Sequence, residues 1–396
     1  MKTVCGLDVH KSMILMCILK ENGSKVIQEF STLTRDVESM RDLMKEHRVE
    51  EVGMESTGVF WIPIWRILQG HFDLKLINPY FIKQLPGRKT DVKDSEWIAT
   101  VVQKELVRGS YVPGRCIQEL RQYERRYVRL CEQSTRIEQE IDRQLHRCNI
   151  QITNYATKIG SMSVINVVKA IIAGETDPVQ LEKHVHGRIK NKHKDEIAAA
   201  LTGFISSTDR FIFGQNIRDY DMIQAQQEEC LKEMRQYCEK YFQNELLLLC
   251  TIPGIQTLSA MIIIAELGVD LKAFVTAAAL TGWAGLRPRN DESAKKIRSH
   301  KITKGNKYLR RILVQCAWGA SRQKNGWLRT KYEQLCVRKS NKKALVAIAR
   351  KLLVIIWNVL SKQETYHEFI PKIDPEQRLK KINYYHKKLQ ELTVEI

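Results

Sequence analysis

The pattern of apolar and polar positions over residues 1–112 predicts an α/β domain. Apolar runs at residues 4–11 and 12–19, with a polar Glu-Asn-Gly-Ser turn at 21–24, are typical of a β-hairpin, to which residues 26–31 add a third strand. The later predicted elements are a helix at 35–47, a strand at 49–55, a helix at 59–68, a strand at 74–77 and a helix that begins near residue 88. The order β-β-β-α-β indicates that the fourth strand returns parallel to its neighbour.

Residues 113–248 are predicted to form a helical coiled-coil region for dimerisation and nucleic-acid contact, with short helices at 150–216 between two long ones. Apolar and small side chains advance in steps of three and four along Leu120, Tyr123, Tyr127, Leu130, Ser134, Ile137, Ile141, Leu145 and Cys148, which predicts a coiled coil of more than three heptads. A second helix is predicted at 217–248 with similar spacing. The two helices are predicted to pair antiparallel or to pair between chains, and a homodimer or homotetramer is therefore expected.

Residues 249–362 are predicted to be mainly helical, and residues 363–396 form a polar, basic helical tail to which the sequence assigns no role. Pro253-Gly254 separates two helical runs in the manner of a helix-hairpin-helix, whose turn amides can hold a DNA phosphate. A plain helical turn packed in the core fits the same residues, because Gln256 stands where the commonest hairpin motif has a second glycine.

The charge of the chain indicates a polyanionic partner. Its 64 Lys and Arg exceed 45 Asp and Glu, which gives a formal net charge of +19 over 396 residues. Such an excess is typical of nucleic-acid binding, although a charge that only maintains solubility is the alternative. The ten cysteines contain no Cys-x-x-Cys pair, which favours reduced thiols. Without a leader pattern or a run of 18 apolar residues, a cytoplasmic protein with no membrane partner is expected.

Four acids are candidates for a metal site because of their positions in the predicted elements. Asp8 lies within the first apolar strand, Glu55 ends a later strand, and Asp91 and Asp94 begin a helix three residues apart. Because the carboxyl ends of parallel strands meet in one crevice, the four could converge and hold Mg²⁺ or Mn²⁺. Backbone donors could instead satisfy the strand acids, and Arg88, Lys89 and the helix dipole could offset the helix acids.

Three motifs around these acids resemble the Asp-Glu-Asp-Asp tetrad of the insertion sequence 110 family of transposases. They are Gly-Leu-Asp8-Val-His-Lys, Met-Glu55-Ser-Thr-Gly and Arg-Lys-Thr-Asp91-x-x-Asp94. The resemblance implies a ribonuclease-H-like (RuvC-like) first domain, a coiled-coil connector and a mainly helical C-terminal domain. It also implies that Asp8, Glu55, Asp91 and Asp94 hold the divalent metal ion.

A second stretch carries the resemblance further. The family has Gly-Leu-x-Pro, a serine in the following loop and then Ile-Thr/Ser-Lys-x-Gly-Asn-x-x-Leu-Arg, and this chain has Gly285-Leu-Arg-Pro288, Ser293 and Ile302-Thr-Lys-Gly-Asn-Lys-Tyr-Leu-Arg310. The resemblance implies that Ser293 attacks DNA and forms a transient phosphoserine. The usual glycine after this serine is Ala294 here, and Ser299 is the nearest rival. The basic residues expected to contact nucleic acid are Arg88, Lys89, Arg287, Arg289, Lys295, Lys296, Arg298, Lys301, Lys304 and Arg310.

The resemblance implies a DNA recombinase that moves an insertion sequence in the bacterial cytoplasm, at the nucleoid. Its expected partners are donor DNA, target DNA and a structured bridge RNA encoded by the same element. The acids and Ser293 could meet within one chain or across a dimer. A metal-dependent junction endonuclease that uses water as its nucleophile, and a non-catalytic nucleic-acid-binding scaffold, are the alternative functions.

Overall fold

A computed structural model of the chain describes residues 2–56, 58–82, 91–194, 196–288, 291–293, 296–299, 302–367 and 375–393. Only the backbone is described for residues 81–82, 91–93, 291–293, 296–299, 375–378, 380–381, 387 and 392–393. The chain divides into two compact units, Met1–Pro113 and Gly114–Ile396. The first is a mixed α/β unit and the second is almost entirely helical.

The first unit is built on one five-stranded sheet. Its elements in chain order are β1 (Val4–Val9), β2 (Met13–Leu19), β3 (Lys25–Ser31), α1 (Thr34–Glu46), β4 (Glu51–Glu55), α2 (Trp61–Leu68), β5 (Asp73–Ile77), α3 (Pro79–Ile82) and α4 (Asp91–Gln103). The strand order is β3-β2-β1-β4-β5. β1, β2 and β3 pair antiparallel, whereas β4 pairs parallel with both β1 and β5. The predicted order of elements is therefore confirmed.

The two faces of this sheet carry different layers, because successive side chains of a strand point to opposite faces. On one face Leu7 and Met54 pack in a core with Met40 of α1 and Leu68 of α2. On the other face the core formed with α4 contains Val4, Cys17, Ile77, Ile98, Ala99 and Val102. Residues of β1 and β4 that alternate with Leu7 and Met54 therefore face α4.

The second unit contains thirteen helices among the described residues and a small two-stranded sheet. Its elements in chain order are α5 (Arg115–Arg147), α6 (Met162–Ile172), α7 (Pro178–Glu182), α8 (Gly187–Lys192), α9 (Ile197–Ala200), α10 (Ser207–Tyr241), α11 (Gln243–Cys250), α12 (Thr257–Leu267), α13 (Ala277–Trp283), β6 (Asp291–Ser293), β7 (Lys296–Ser299), α14 (Lys307–Ala320), α15 (Trp327–Cys336), α16 (Asn341–Lys362) and α17 (Pro375–Thr393). A short 3-10 turn at Ile152–Asn154 follows α5.

The second long helix differs from the predicted 217–248. α10 begins ten residues earlier, where Ser206 and Asp209 form a capping box, and it ends before Phe242, which has a non-helical backbone. The capping box satisfies the free backbone N–H groups at the start of α10. The first residue of the helix is therefore set by the capping box and not by the first residue of the apolar stripe. The apolar residues beyond Phe242 belong to the separate helix α11.

The helices α5 and α10 pair antiparallel within the chain. Near the start of α5, the Tyr237 hydroxyl donates to Glu119 over 2.8 Å, whereas near its end the Gln144 amide donates to Asp209 over 2.7 Å. Leu130, Ile223 and Cys230 are buried between the two helices. Pairing within the chain was one of the two predicted arrangements. A coiled coil and a homodimer or homotetramer stay predictions.

The C-terminal helices share one large core with the ends of α5 and α10, on both sides of the division predicted at residue 248/249. The helix α16 lies at its centre, and Ile348, Leu352, Leu353 and Ile356 are fully buried there. By length and composition α16 is the one described helix that could cross a membrane, and Arg350 and Lys351 interrupt its apolar run. Its burial against α13 and α14 is that of a core helix.

Candidate functional site

Two of the predicted acids lie near the carboxyl ends of neighbouring parallel strands. In the register of β1 and β4, Leu7 lies opposite Met54, and Asp8 and Glu55 are the next residues along each strand. They alternate with Leu7 and Met54, so both face α4. The sheet therefore brings Asp8 and Glu55 side by side at one edge.

The helix α4 runs antiparallel to β1. At its C-terminal end the Gln103 amide donates to the Lys2 carbonyl oxygen over 3.0 Å. In its middle the helix touches the strand so closely that a Cβ on Gly6 would lie 2.2 Å from the Ser95 carbonyl oxygen. Its N-terminal end therefore points to the edge at which β1 ends, and Asp94 lies in that first turn. Asp91 lies one turn before Ser95, and its side chain is outside the described part of the chain.

Asp8 is the best described of the four acids. Its side chain is 15% exposed, and one carboxylate oxygen lies 3.0 Å from Nε2 of His10. Glu55 and Asp94 are half-buried. Among the side chains that the structure describes, no Lys or Arg forms an ion pair with these three acids, and no three His, Cys, Asp or Glu are placed to hold a metal ion together. The predicted metal site, which also needs Asp91, stays a prediction.

Another acid in the same sheet has a structural role. Glu51 begins β4 and is 4% exposed, and its carboxylate forms ion pairs with both Lys2 and Lys75. Burial alone would raise the pKa of Glu51, but hydrogen bonds from Lys2 and Lys75 hold it below its usual value. An acid that serves the fold is thus supplied with cations. Asp8, Glu55 and Asp94 have none among the described side chains, so hard carboxylate oxygens remain for a divalent ion.

Ser293 lies in a hairpin, although a loop was predicted for it. It ends β6 and is paired with Lys296, the first residue of β7. We call β6 and β7 the serine hairpin. Its strands of three and four residues are mostly charged, so they lack the apolar alternation by which a strand is recognised in sequence. The side chains of Ser293, Lys296 and Arg298 are outside the described part of the chain.

The two family motifs around Ser293 form the base of the serine hairpin. The Thr303 amide donates to the Arg287 carbonyl oxygen over 3.0 Å, and Pro288 forms a β-bridge with Ile302. A Cβ on Gly305 would lie 2.3 Å from the Gly285 amide nitrogen, so the two chain segments touch through their backbones. Gly285 also has φ +73°, which favours glycine.

The structure describes only part of the predicted basic surface. Arg287 and Lys304, at the base of the serine hairpin, are exposed, and Arg310 in α14 is half-buried. Arg88, Lys89, Arg289, Lys295 and Lys301 lie outside the described residues. A role for these residues in nucleic-acid binding stays a prediction.

Two buried glutamates in the second unit are not part of any motif recognised in the sequence. Glu124 of α5 and Glu266 of α12 are both 0% exposed, and we call them the buried acid pair. The Arg125 guanidinium donates to both Glu266 oxygens, over 2.7 and 3.0 Å. The Asn306 amide donates to Glu266 over 2.5 Å. One feature of the sequence could have identified Glu266. It is an acid within the apolar run of α12, as Asp8 is an acid within the apolar strand β1.

The two members of the buried acid pair differ in protonation. Burial, the neighbouring charge of Glu266 and a hydrogen bond to it raise the pKa of Glu124 to about 8. Burial would also raise the pKa of Glu266, but hydrogen bonds from Arg125 and Asn306 lower it overall. At neutral pH, Glu266 is therefore ionised and Glu124 carries a proton.

Comparison with known proteins covers both units. A family model for the DEDD transposases of insertion sequence 110 matches residues 5–150, and the model described as transposase IS116/IS110/IS902 family matches residues 246–333. A putative transposase, y4pF/y4sB, of Sinorhizobium fredii is 32% identical over 129 residues, which are 30% of this chain and 32% of that protein. The transposase for insertion sequence element IS1111A of Coxiella burnetii is 35% identical over 124 residues, 29% of this chain and 33% of that protein. The chain thus spans about a third of the length of these relatives. With each family model matched at the motifs that carry the candidate site, the chain belongs to the insertion sequence 110 family of transposases.

Proposed function

We propose that the chain is a DNA recombinase that breaks and rejoins strands of an insertion sequence, with Ser293 as its nucleophile. The observation that carries the proposal is the delivery of Asp8, Glu55 and the first turn of α4 to one sheet edge, without Lys or Arg partners among the described side chains. Family membership supports a DNA-processing role.

We propose a ribonuclease-H-like fold for the first unit. The strand order β3-β2-β1-β4-β5, with an antiparallel half and a parallel half, supports this assignment. In such a sheet, acids at the ends of the central parallel strands and at a facing helix share one edge.

The acids Asp8, Glu55, Asp91 and Asp94 would hold Mg²⁺ or Mn²⁺. Carboxylate oxygens are the ligands that these ions prefer. A bound ion would neutralise the acids and offset negative charge at a DNA phosphate.

In the proposed reaction, the Ser293 oxygen forms a bond to phosphorus while the bond from phosphorus to a DNA 3′-oxygen breaks. The serine proton passes to a base, and the departing 3′-oxygen takes up a proton. The ester bond is thereby kept as a phosphoserine, from which another 3′-hydroxyl can recover the phosphate by the reverse exchange. The acids belong to the first unit and Ser293 to the second, and the proposed reaction uses residues of both.

The proposed partners are donor DNA, target DNA and a structured bridge RNA. The net charge of +19 supports polyanionic partners. The exposure of Arg287 and Lys304 at the base of the serine hairpin supports a role for them in holding phosphate near Ser293. A homodimer or homotetramer in the bacterial cytoplasm remains part of this proposal.

The proposal is tested by incubating the protein with Mg²⁺, the element's RNA and labelled DNA, and then denaturing the mixture. We expect a covalent protein–DNA adduct that Ser293→Ala and Asp91→Asn both abolish. Ser299→Ala is the matched control on the paired strand of the hairpin, and it should keep the adduct. Cleavage by Ser293→Ala without an adduct would indicate a nuclease that uses water. Absence of cleavage by the wild-type protein would favour a scaffold.

A further inference from the structure

We infer that Glu266 is a positioning residue for the serine hairpin, which it holds through Asn306, and that Glu124 must stay protonated for Glu266 to do so. The inference rests on the proposed function only in treating Ser293 as the nucleophile. The contacts between Glu266 and Asn306 stand independently of it.

Glu266 is held by two arginines inside the helical core. It lies in α12 with no exposure, and Arg125 of α5 binds it through two parallel hydrogen bonds. Arg121, one turn earlier in α5, donates to the carbonyl oxygens of Ala265 and Glu266 over 3.0 and 3.1 Å. The paired geometry fixes the direction of the Glu266 carboxylate, because a guanidinium and a carboxylate are both planar. Glu266 is therefore a rigid acceptor inside the helical core.

Glu266 is linked through Asn306 to α14, the helix that follows the serine hairpin. The Asn306 amide group donates to Glu266 over 2.5 Å, and its oxygen accepts from the backbone amides of Tyr308 and Leu309 over 3.0 and 3.1 Å. Asn306 thus caps α14, and its hydrogen bond to Glu266 fixes the orientation of its side-chain amide group. The Arg125 guanidinium also stacks on the Tyr308 ring, 3.5 Å from its centroid.

The residues just before Asn306 form part of the base of the serine hairpin. Gly305, its neighbour, packs against Gly285 with no room for a Cβ, and Thr303 is bonded to Arg287. These contacts close the base from which β6 and β7 extend. A shift of Asn306 would therefore move both backbone segments that lead into the serine hairpin. Ser293 would move with them.

Glu124 determines whether Glu266 keeps its partners. Neither Glu124 oxygen accepts a hydrogen bond from a described donor. The Arg125 Nε lies 3.1 Å from one Glu124 oxygen, but its N–H group donates to Glu266 instead. The protonated Glu124 carboxyl resolves this by donating to Glu266. Among the described residues, the other charged or titratable groups around the pair are Arg121, Arg125, Tyr127, Cys131 and Glu132 of α5 and Tyr308 and Arg311 of α14.

Ionisation of Glu124 would place a second negative charge against Glu266. The two carboxylates would then compete for Arg125, and the hydrogen bond between them would be lost. Raising the pH through about 8, where Glu124 releases its proton, should loosen Asn306 and the base of the serine hairpin.

The test compares two isosteric variants of the full-length protein, Glu266→Gln and Glu124→Gln. The first readout is hydrogen exchange at the amides of Tyr308 and Leu309, without DNA, from pH 6.5 to 9. The second is the rate of adduct formation with labelled DNA over the same range. Ile263→Val, a fully buried change in the same helix α12, is the control for a general loss of stability.

We expect Glu266→Gln to speed exchange and slow adduct formation by about tenfold, the loss typical of one hydrogen bond to a charged group. Glu124→Gln mimics the neutral acid, so it should remove the rise in exchange above pH 8 that the wild-type protein shows relative to intrinsic exchange. Ile263→Val should keep the wild-type pH profile.

The inference is overturned if Glu266→Gln leaves exchange unchanged, or if Glu124→Gln alters it at pH 7 as much as Glu266→Gln does. Unchanged adduct formation in Glu266→Gln, despite faster exchange, would also contradict the positioning role. A wild-type protein that forms no adduct would count against the proposed function, whereas the exchange measurement would still decide whether Glu266 anchors Asn306.

Discussion

The backbone of Gly6 touches the backbone of Ser95, since a Cβ added at Gly6 would lie 2.2 Å from the Ser95 carbonyl oxygen and 2.5 Å from the Ala99 nitrogen. This contact packs α4 against β1 and sets the distance from the first turn of α4, which contains Asp94, to the end of β1 that carries Asp8. Neither partner can yield easily, because both contacts are to main-chain atoms. The absence of a side chain at one position therefore controls the geometry of the acidic edge.

Gly6→Ala should lower the stability of the first unit by about 1–3 kcal/mol, the usual cost of overpacking. The φ of Gly6 is outside the left-handed region, so the effect would come from the contact with α4. Thermal unfolding of the full chain measures it. Gly187→Ala is the matched control, because a Cβ there meets nothing within 4 Å. Equal melting temperatures for the two variants would contradict the close packing.

Mg²⁺ should stabilise the protein through the four acids, with a readout that needs no DNA. At a hundred times its Kd, a ligand that binds only the native state adds about 2.7 kcal/mol. Asp8→Asn and Asp94→Asn should each reduce the Mg²⁺-dependent rise in melting temperature. Glu38→Gln, an exposed change on α1 at the opposite face of the sheet, should preserve it. The metal site would be refuted by an equal Mg²⁺ response in the wild-type protein and both acid variants.

Stability should also depend on the proton held by Glu124. Its pKa is raised from 4.5 to about 8, so between these values the native state holds a proton that the unfolded chain has released. The stabilisation is full below pH 4.5 and is lost as the pH rises to about 8. Glu124→Gln removes this dependence, so the stability of the wild-type protein relative to this variant should fall from pH 5 to pH 8. Unfolding by denaturant at several pH values measures the difference.

The contributions of Glu124 and Glu266 to stability change in different ranges of pH. Because the pKa of Glu266 is lowered, its contribution is present above pH 4.5 and is lost only as the pH falls below that value. A relative stability that stays constant from pH 5 to pH 8 would show that Glu124 is ionised in the native protein.

Asn306→Ala should destabilise the second unit by more than the roughly 1 kcal/mol of an ordinary helix cap, because it also removes the donor to Glu266. Thr276→Ala removes only the cap of α13, where the Thr276 hydroxyl accepts from Ala279, and is the control. Thermal unfolding compares them. If the two variants were equally destabilised, the bond from Asn306 to Glu266 would contribute nothing measurable.

Much of the first unit could be predicted because its signals are local. Apolar runs and turns marked the strands, and acids within those runs marked Asp8 and Glu55. The prediction that Asp8 and Glu55 share one face of the sheet depended only on β1 and β4 being parallel. The helix α1, which comes before β4, indicated that arrangement. The contact between Gly6 and Ser95 could not be predicted, since it depends on how closely α4 approaches the sheet.

The second unit was less predictable because its decisive contacts join distant residues. Arg125 and Glu266 are separated by 141 positions, and neither has a pattern that identifies the other. The serine hairpin has charged strands, so periodicity marked it as a loop. Gly285 and Gly305 appeared as separate motifs, although they form one contact.

The most direct test of the central claim is to identify the residue that carries DNA. The trapped adduct is digested with nuclease and trypsin and analysed by mass spectrometry. Cleavage after Arg289 and Lys295 releases residues 290–295, in which Ser293 is the sole hydroxyl-bearing residue, whereas Ser299 falls in the separate peptide 299–301. The proposed mechanism predicts a nucleotide phosphate on the peptide 290–295. The same group on 299–301, or cleaved DNA with no modified peptide, would contradict it.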